Sequence, residues 1–506
     1  MIRIKGQRFS IDDFKLLLNQ SQRIQVSVDI RDKIMHCHKE FQEMLKSGKM
    51  IYGVNTGFGA LSQEKIDERD QNQLQLNLVR SHAAGMGDPF DYGVTRTILL
   101  LKLINLSFGY SGVRWEVVRQ LRDFLNEDIL PVIPSKGSVG ASGDLIPLSH
   151  MALALIGEGE VHFSDRILPS MVVLREVGLE PLVLQPKEAL SLINGTQAST
   201  ALGILALIRM ERVLKAADCV GAMSVEATLS SRETFHPTIH RLKKHRGQFQ
   251  SATNVWRILQ GSEIVASHSD CEIVQDPYSF RCIPHVHGAS RELYFCAKRI
   301  IENEINSVSD NPIFFPRKRQ IATSGHFHAE IVGQAMDVLS IAAAEVGAIS
   351  ERRIFRIMEG IEGKIPRFLA GDPGLESGFM MAQVTAASLA SENKTQAFPA
   401  SVDSIPTQSN QEDFVSMALW AGRKLLRIVE NVIRILGIEL LVATHMIDLH
   451  RPLRPSPATQ AMRLLVRRHV RFSREDRVLS PEIDKAVDLV GTGKIISSVE
   501  SKVRLE

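Results

Sequence analysis

The chain has 506 residues, and its 60 Lys and Arg against 57 Asp and Glu leave a formal charge of +3. So small an excess over this length creates no field to attract nucleic acid or an anionic membrane surface. The hydrophobic fraction of 44% and charged fraction of 23% are those of a globule, and aromatics at only 6% beside plentiful Leu, Ile, Ala and Met favour helix over a β-sandwich.

Length alone suggests about three domains. Cysteines stand at 37, 219, 271, 282 and 296 with no CxxC pair, which reads as reduced core thiols in a cytoplasmic protein. The opening MIRIKGQRFSIDD has no apolar stretch of the secretory kind. Uncharged apolar runs such as Ala201–Ile208 stop well short of the roughly 18 residues a membrane span needs.

In chain order, Ser10 with Asp12 and Asp13 predicts a capped helix start. Residues 50–60 then break the helical pattern, with three Gly between Gly53 and Gly59. Lacking GxGxxG or GxxxxGK[ST], this run is a loop of unusual backbone angles and not a nucleotide cradle. A second Gly-rich loop, 131–147, leads into an apolar helix over 148–156, with Asp144 as its cap and Pro147 in its first turn. Short hairpins are expected at Val161–Leu168 and Pro312–Thr323. Helical period dominates 200–230, 290–306, 330–357 and 421–449, the last ending before Pro452. Several of these segments are apolar on more than one face, as interior members of a bundle are. The expected fold is mainly α, with residues 1–200 carrying the Gly-rich loops and 201–506 forming a long-helix bundle.

Within GSVGASGDL, the triplet Ala141-Ser142-Gly143 is the most informative local feature. A bare Ala-Ser-Gly is ordinarily a turn. Here, flanked by Gly140 and Asp144, it permits a compression that larger side chains would forbid. Attack of the Gly143 nitrogen on the Ala141 carbonyl carbon with loss of water closes an imidazolone, and loss of the Ser142 hydroxyl leaves an exocyclic methylidene. Such a group is an electrophile that no ordinary side chain supplies.

Around this triplet the chain resembles the aromatic amino acid ammonia-lyases, most closely their histidine-specific members. Eight ordered blocks carry the likeness: YGVNTGFG at 52–59, LNLVRSHAAG at 76–85, GSVGASGDLIPLSHMAL at 137–153, LINGTQ at 192–197, VQDPYSFRC at 274–282, SDNP at 309–312, ESGFMMAQVTAASLASENK at 376–394, and PASVDSIPT with NQEDFVSMA at 399–418. The resemblance implies a helical fold like that of fumarase and aspartase and a homotetramer. It also implies a methylidene-imidazolone formed autocatalytically from Ala141, Ser142 and Gly143, with no dissociable cofactor.

The implied reaction is elimination of ammonia from L-histidine to trans-urocanate, the opening step of histidine degradation. Such an elimination needs a base for the β-proton and a better leaving group than a free amine. By resemblance Tyr278 or Glu412 is the base and Tyr52 completes the site. Arg281 grips the substrate carboxylate with help from Asn194, and Asn194 also bonds the imidazolone carbonyl. Gln275 and Phe327 line the pocket, while His82 and Glu412 recognise the imidazole ring. Tyr52, the 275–281 block and Glu412 are expected from different chains of the tetramer.

Four positions depart from the histidine-specific pattern: Phe398 and Phe414 replace His, His326 replaces Asn, and His285 replaces Gln. They keep open an alternative lyase or aminomutase of the same family acting on tyrosine, phenylalanine or a modified histidine. A scaffold that kept only the fold is disfavoured by Ser142, Tyr278 and Arg281. The pairs His36/His38, His285/His287 and His326/His328 have no third ligand at zinc-like spacing, so no metal is expected.

Overall fold

A computed structural model describes residues 2–18, 22–268 and 274–506. Cys271 therefore lies outside the described residues. The backbone is mainly helical, and its strands, among the described residues, are at most four residues long. Two compact units emerge. The first comprises residues 1–205, 298–337 and 399–423, and the second 206–297, 338–398 and 424–506. The N-terminal stretch 1–200 thus falls wholly within the first unit, while 201–506 is divided between both.

Every described strand belongs to the first unit. Glu160–Phe163 pairs antiparallel with Arg166–Pro169, and Ile313–Phe315 with Gln320–Ala322, as the alternation in those segments predicts. Ser10 caps the helix Ile11–Leu17 in a reciprocal box with Asp13. The helix Tyr92–Ser107 is buried on all sides from Val94 to Ser107, including Arg96 and Lys102. A helix with no exposed face over that span belongs in the middle of a core.

Long helices occupy the segments whose period predicts them: Gln197–Ala227, Ile283–Ile305, Glu330–Met358 and Ala418–Leu449. The last ends before Pro452. In the second unit its Glu439 is fully buried and takes both nitrogens of a fork from Arg353, at 2.5 and 2.8 Å. Ser224 and Ser350 satisfy the same carboxylate, which is what makes a buried charge tolerable.

By length and composition Glu330–Met358 is apolar enough to cross a membrane, but 61% of its most apolar window is buried inside the structure. Uncharged-run length alone does not register this helix. The cysteines also differ from the expectation of core thiols: Cys37 and Cys219 are buried, Cys282 is half-buried and Cys296 is exposed.

Candidate active site

The Ala141-Ser142-Gly143 loop is held in a tight frame in the first unit. Gly143 has a φ of +76°, and a Cβ there would sit 2.2 Å from the Gly195 carbonyl oxygen. Only glycine fits. Asp144 N donates to that same oxygen at 2.7 Å. On the other flank Gly140, also at +76°, packs so closely on Ser416 that a Cβ would lie 2.2 Å from its Oγ.

Asp144 stands at the start of the helix Leu145–Leu155 but does not cap it. Its buried carboxylate instead accepts from Ser199 N and Oγ, at 2.7 and 2.8 Å, and from Ser138 Oγ at 3.1 Å. It thereby satisfies a first-turn amide of the neighbouring helix Gln197–Ala227, where a negative charge is favoured. Burial nonetheless pushes the Asp144 carboxyl above the ordinary carboxylate range.

Ser142 is half-buried at the tip of the loop. Its hydroxyl donates to Glu412 Oε1 at 2.5 Å, and the second oxygen of Glu412 accepts from Thr407 Oγ1 at 2.9 Å. Asn194 Nδ2 donates to the Ser142 carbonyl at 3.1 Å, while Asn194 Oδ1 is buried with no partner among the described residues.

Two cavities meet at this contact, sharing Ala141, Ser142, Gln408 and Glu412 in their walls. The larger, of about 360 Å³, also takes in Tyr52, Asn194, Phe327, His328 and Phe414. The smaller, of about 280 Å³, takes in His82. One chain therefore brings Tyr52, His82, Asn194, Phe327 and Glu412 around Ser142. Tyr52 and Glu412 do not come from different chains, because the segment 399–423 folds into the same unit as residues 1–205.

Burial raises the Tyr52 phenol above its usual range, against a hydrogen bond from Gly59 N. Burial pushes the His82 imidazole down, with the Leu78 carbonyl and Glu412 pulling it back. His82 is thus neutral at pH 7, with one donor and one acceptor nitrogen. Gln75, fully buried, ties the Gly53 loop to the short helix Glu188–Ile193: its Nε2 donates to Gly53 O and its Oε1 accepts from Ala189 N, each at 3.2 Å.

Gln275, Tyr278 and Arg281 belong to the second unit. There Arg281 Nη2 donates to Gln275 Oε1 at 3.0 Å, both residues line another cavity, and Tyr278 is 71% exposed. Arg281 lies over the Tyr278 ring, 4.6 Å from its centroid.

The His pairs have ordinary structural partners. His38 bonds the Gly112 carbonyl, His287 bonds Asp218, and His328 bonds the Phe414 carbonyl while stacking on its ring. Among the described residues no group of three or more His, Cys, Asp or Glu is placed to hold a metal ion. Phe414 lines the larger cavity, whereas Phe398 is 74% exposed and lies in the second unit.

Sequence reasoning misses Thr407, Gln75 and Lys102. The last had a signal, a lone cation amid the apolar run Ile98–Leu106.

The family model for aromatic amino acid lyases matches residues 9–468. The chain belongs to the aromatic amino acid lyase family. It is a carbon–nitrogen lyase. Over 482 residues it is 46% identical to a histidine ammonia-lyase of Idiomarina loihiensis, covering 95% of this chain and 94% of the relative. The crystal structure of histidine ammonia-lyase from Trypanosoma cruzi superposes on this lyase with a TM-score of 0.91 at 38% identity, covering 99% and 96% of the two chains. Tyrosine aminomutase from Streptomyces globisporus does so with a TM-score of 0.94 at 33% identity, covering 100% of each. The long-helix fold expected from the sequence is the fold of this family.

Proposed function

We propose that this lyase eliminates ammonia from L-histidine to give trans-urocanate, at a methylidene-imidazolone built from Ala141, Ser142 and Gly143. The observation that carries the reading is the contact of Ser142 with Glu412 in a wall common to two cavities, one holding His82 and the other Tyr52, Asn194 and Phe327. The loop fits the prosthetic group: Gly143 is pressed onto Gly195, and Asn194 already donates to the one loop carbonyl the ring would retain. When formed, the group supplies an electrophile that turns the substrate amine into a better leaving group.

The chain's own residues do the rest. Asn194 Nδ2 polarises the Ser142 carbonyl and has a second hydrogen for the substrate carboxylate, while its free Oδ1 suits the amine. Neutral His82 and the Glu412 carboxylate offer imidazole a donor and acceptor environment that a phenyl ring would leave unpaired. Tyr52, whose neutral phenol burial favours further, completes the site. Glu412 or Tyr278 takes the β-proton. Phe327 packs on the substrate in the larger cavity.

Arg281, Gln275 and Tyr278 are assigned to substrate binding and catalysis from a second protomer of a cytoplasmic homotetramer, with Arg281 on the carboxylate. The exposed thiol of Cys296 is at home in a reducing compartment.

Phe414 at the cavity wall supports a second reading, a tyrosine- or phenylalanine-directed lyase or aminomutase with the same prosthetic group. Incubation with histidine, tyrosine and phenylalanine separately, following the conjugated acrylate in the ultraviolet, decides between them. Turnover of histidine alone is expected; turnover of tyrosine or phenylalanine without histidine selects the second reading.

A further inference from the structure

Lys102 sits in the middle of the helix Tyr92–Ser107 with no exposed surface. Its Nζ donates to the Asn194 carbonyl at 2.7 Å and to the Ser191 carbonyl at 3.1 Å. These oxygens lie at the C-terminal end of the short helix Glu188–Ile193, where carbonyls lack helical partners and a cation is favoured.

The segment that Lys102 grips touches the Ala-Ser-Gly loop at Ser142 and at Gly143. The Asn194 side chain holds the Ser142 carbonyl at 3.1 Å. The next residue, Gly195, accepts from Asp144 N at 2.7 Å and presses on Gly143 with no room for a Cβ. The start of the short helix is fixed too: Glu188 takes two nitrogens of Arg114, at 2.8 and 2.7 Å, and Lys187 pairs with Asp310 at 2.9 Å in full burial. Among the described residues, Lys102 is therefore the side chain whose hydrogen bond anchors the backbone of the Asn194–Gly195 step.

We propose that Lys102 is the positioning residue for prosthetic-group formation, holding Asn194 and Gly195 as a fixed anvil against which the Ala141-Ser142-Gly143 loop is compressed. The proposal rests on the prosthetic-group reading above. In that closure the Gly143 nitrogen bonds to the Ala141 carbonyl carbon, whose oxygen leaves as water with the Gly143 and Ser142 amide hydrogens. Ser142 Oγ then leaves as a second water with the Ser142 α-hydrogen. Closure demands that the two reacting atoms approach within van der Waals contact, and a frame that yields cannot impose this.

Burial pushes Lys102 down to about 7, with Asp310 and Asp144 pulling it up and Lys187 pushing it further down. The role survives that titration, because a neutral amine retains hydrogens for both carbonyls.

The test compares wild type with Lys102→Met and Lys102→Gln by the mass of the loop peptide, with circular dichroism for folding. Wild type should lack two waters. The Met variant should fold with its loop mostly unmodified, and Gln, which keeps donors but no charge, should restore modification severalfold above Met. Turnover should fall in proportion to the modified fraction. A fully modified Met variant with wild-type turnover overturns the proposal, as does a Gln variant no better than Met. If Met does not fold, Lys102→Leu replaces it; failure of all three to fold assigns Lys102 to the stability of the unit and also overturns it. An unmodified loop in wild type would instead sink the prosthetic-group reading.

Discussion

Ser142 and Glu412, 270 positions apart, share a hydrogen bond of 2.5 Å from the serine hydroxyl to the carboxylate. Thr407 holds the other Glu412 oxygen at 2.9 Å, so the carboxylate has little freedom to turn. Glu412→Gln keeps the size and removes the charge. If Glu412 is the base, kcat falls by about 10²–10⁴-fold. A rise in KM at steady kcat leaves the base to Tyr278. Steady-state kinetics in which neither changes would contradict both roles.

Thr407→Val removes the hydroxyl and preserves shape. Loss of one hydrogen bond to a charged group costs about 1.5–3 kcal/mol, or roughly 10–100-fold in kcat/KM. The measurement is kcat/KM for histidine against wild type, with loop modification as the control.

His82 lines the smaller cavity beside Ser142 and Glu412. His82→Leu leaves the ring of the substrate without one polar partner, and kcat/KM for histidine should drop about 10–100-fold while the loop still loses two waters. Peptide mass and kinetics on the same preparation check this, and an unmodified loop would give His82 a different role.

Much of this is legible in the amino-acid sequence. The hairpins, the Ser10 cap and the long helices follow from alternation, capping residues and apolar period. The Ala-Ser-Gly loop and the residues around it follow from motif context. What was hidden depends on tertiary pairing. Asp144 looks like a cap for the helix that follows it, yet its carboxylate serves Ser199 of another helix. Tyr52 and Glu412 share a cavity only because residues 399–423 rejoin the N-terminal unit. Lys102 needs the C-terminal end of Glu188–Ile193 before its charge makes sense. Periodicity carries no information about such partners.

In the second unit Asp218 is fully buried and accepts from Ser251, Asn254, His287 and Arg291, at 2.6, 2.9, 2.8 and 2.6 Å. Burial alone would raise its carboxyl, but Arg291 and His287 overturn this and hold it well below the usual range. Asp218→Asn leaves the Arg291 charge buried without its counterpart. The expected loss of stability is about 3–5 kcal/mol, read from chemical denaturation.

His445, with no exposed surface, lies against Phe379 and Phe472, with ring centroids 4.9 and 4.7 Å away. Burial, reinforced by Arg467 and Arg477, pushes it from 6.5 to about 3. The unfolded chain takes up this proton below 6.5 and the folded one does not. The stability contribution is therefore present above pH 6.5 and is lost as pH falls toward 3. Between 6.5 and 5 the loss is about 2 kcal/mol at roughly 1.4 kcal/mol per pH unit. Thermal melts across that range should fall more steeply for wild type than for His445→Phe; equal slopes would refute the account of this residue.

In the proposed reaction Ser142 becomes the electrophile on which histidine loses ammonia. The direct measurement is histidine turnover, followed by the ultraviolet absorbance of the conjugated product, in wild type and Ser142→Ala prepared alike. Steady formation of product by wild type, and none above background by folded Ser142→Ala, is the predicted result. Wild-type rates in the Ala variant, or no turnover of histidine by wild type with a fully modified loop, would contradict it.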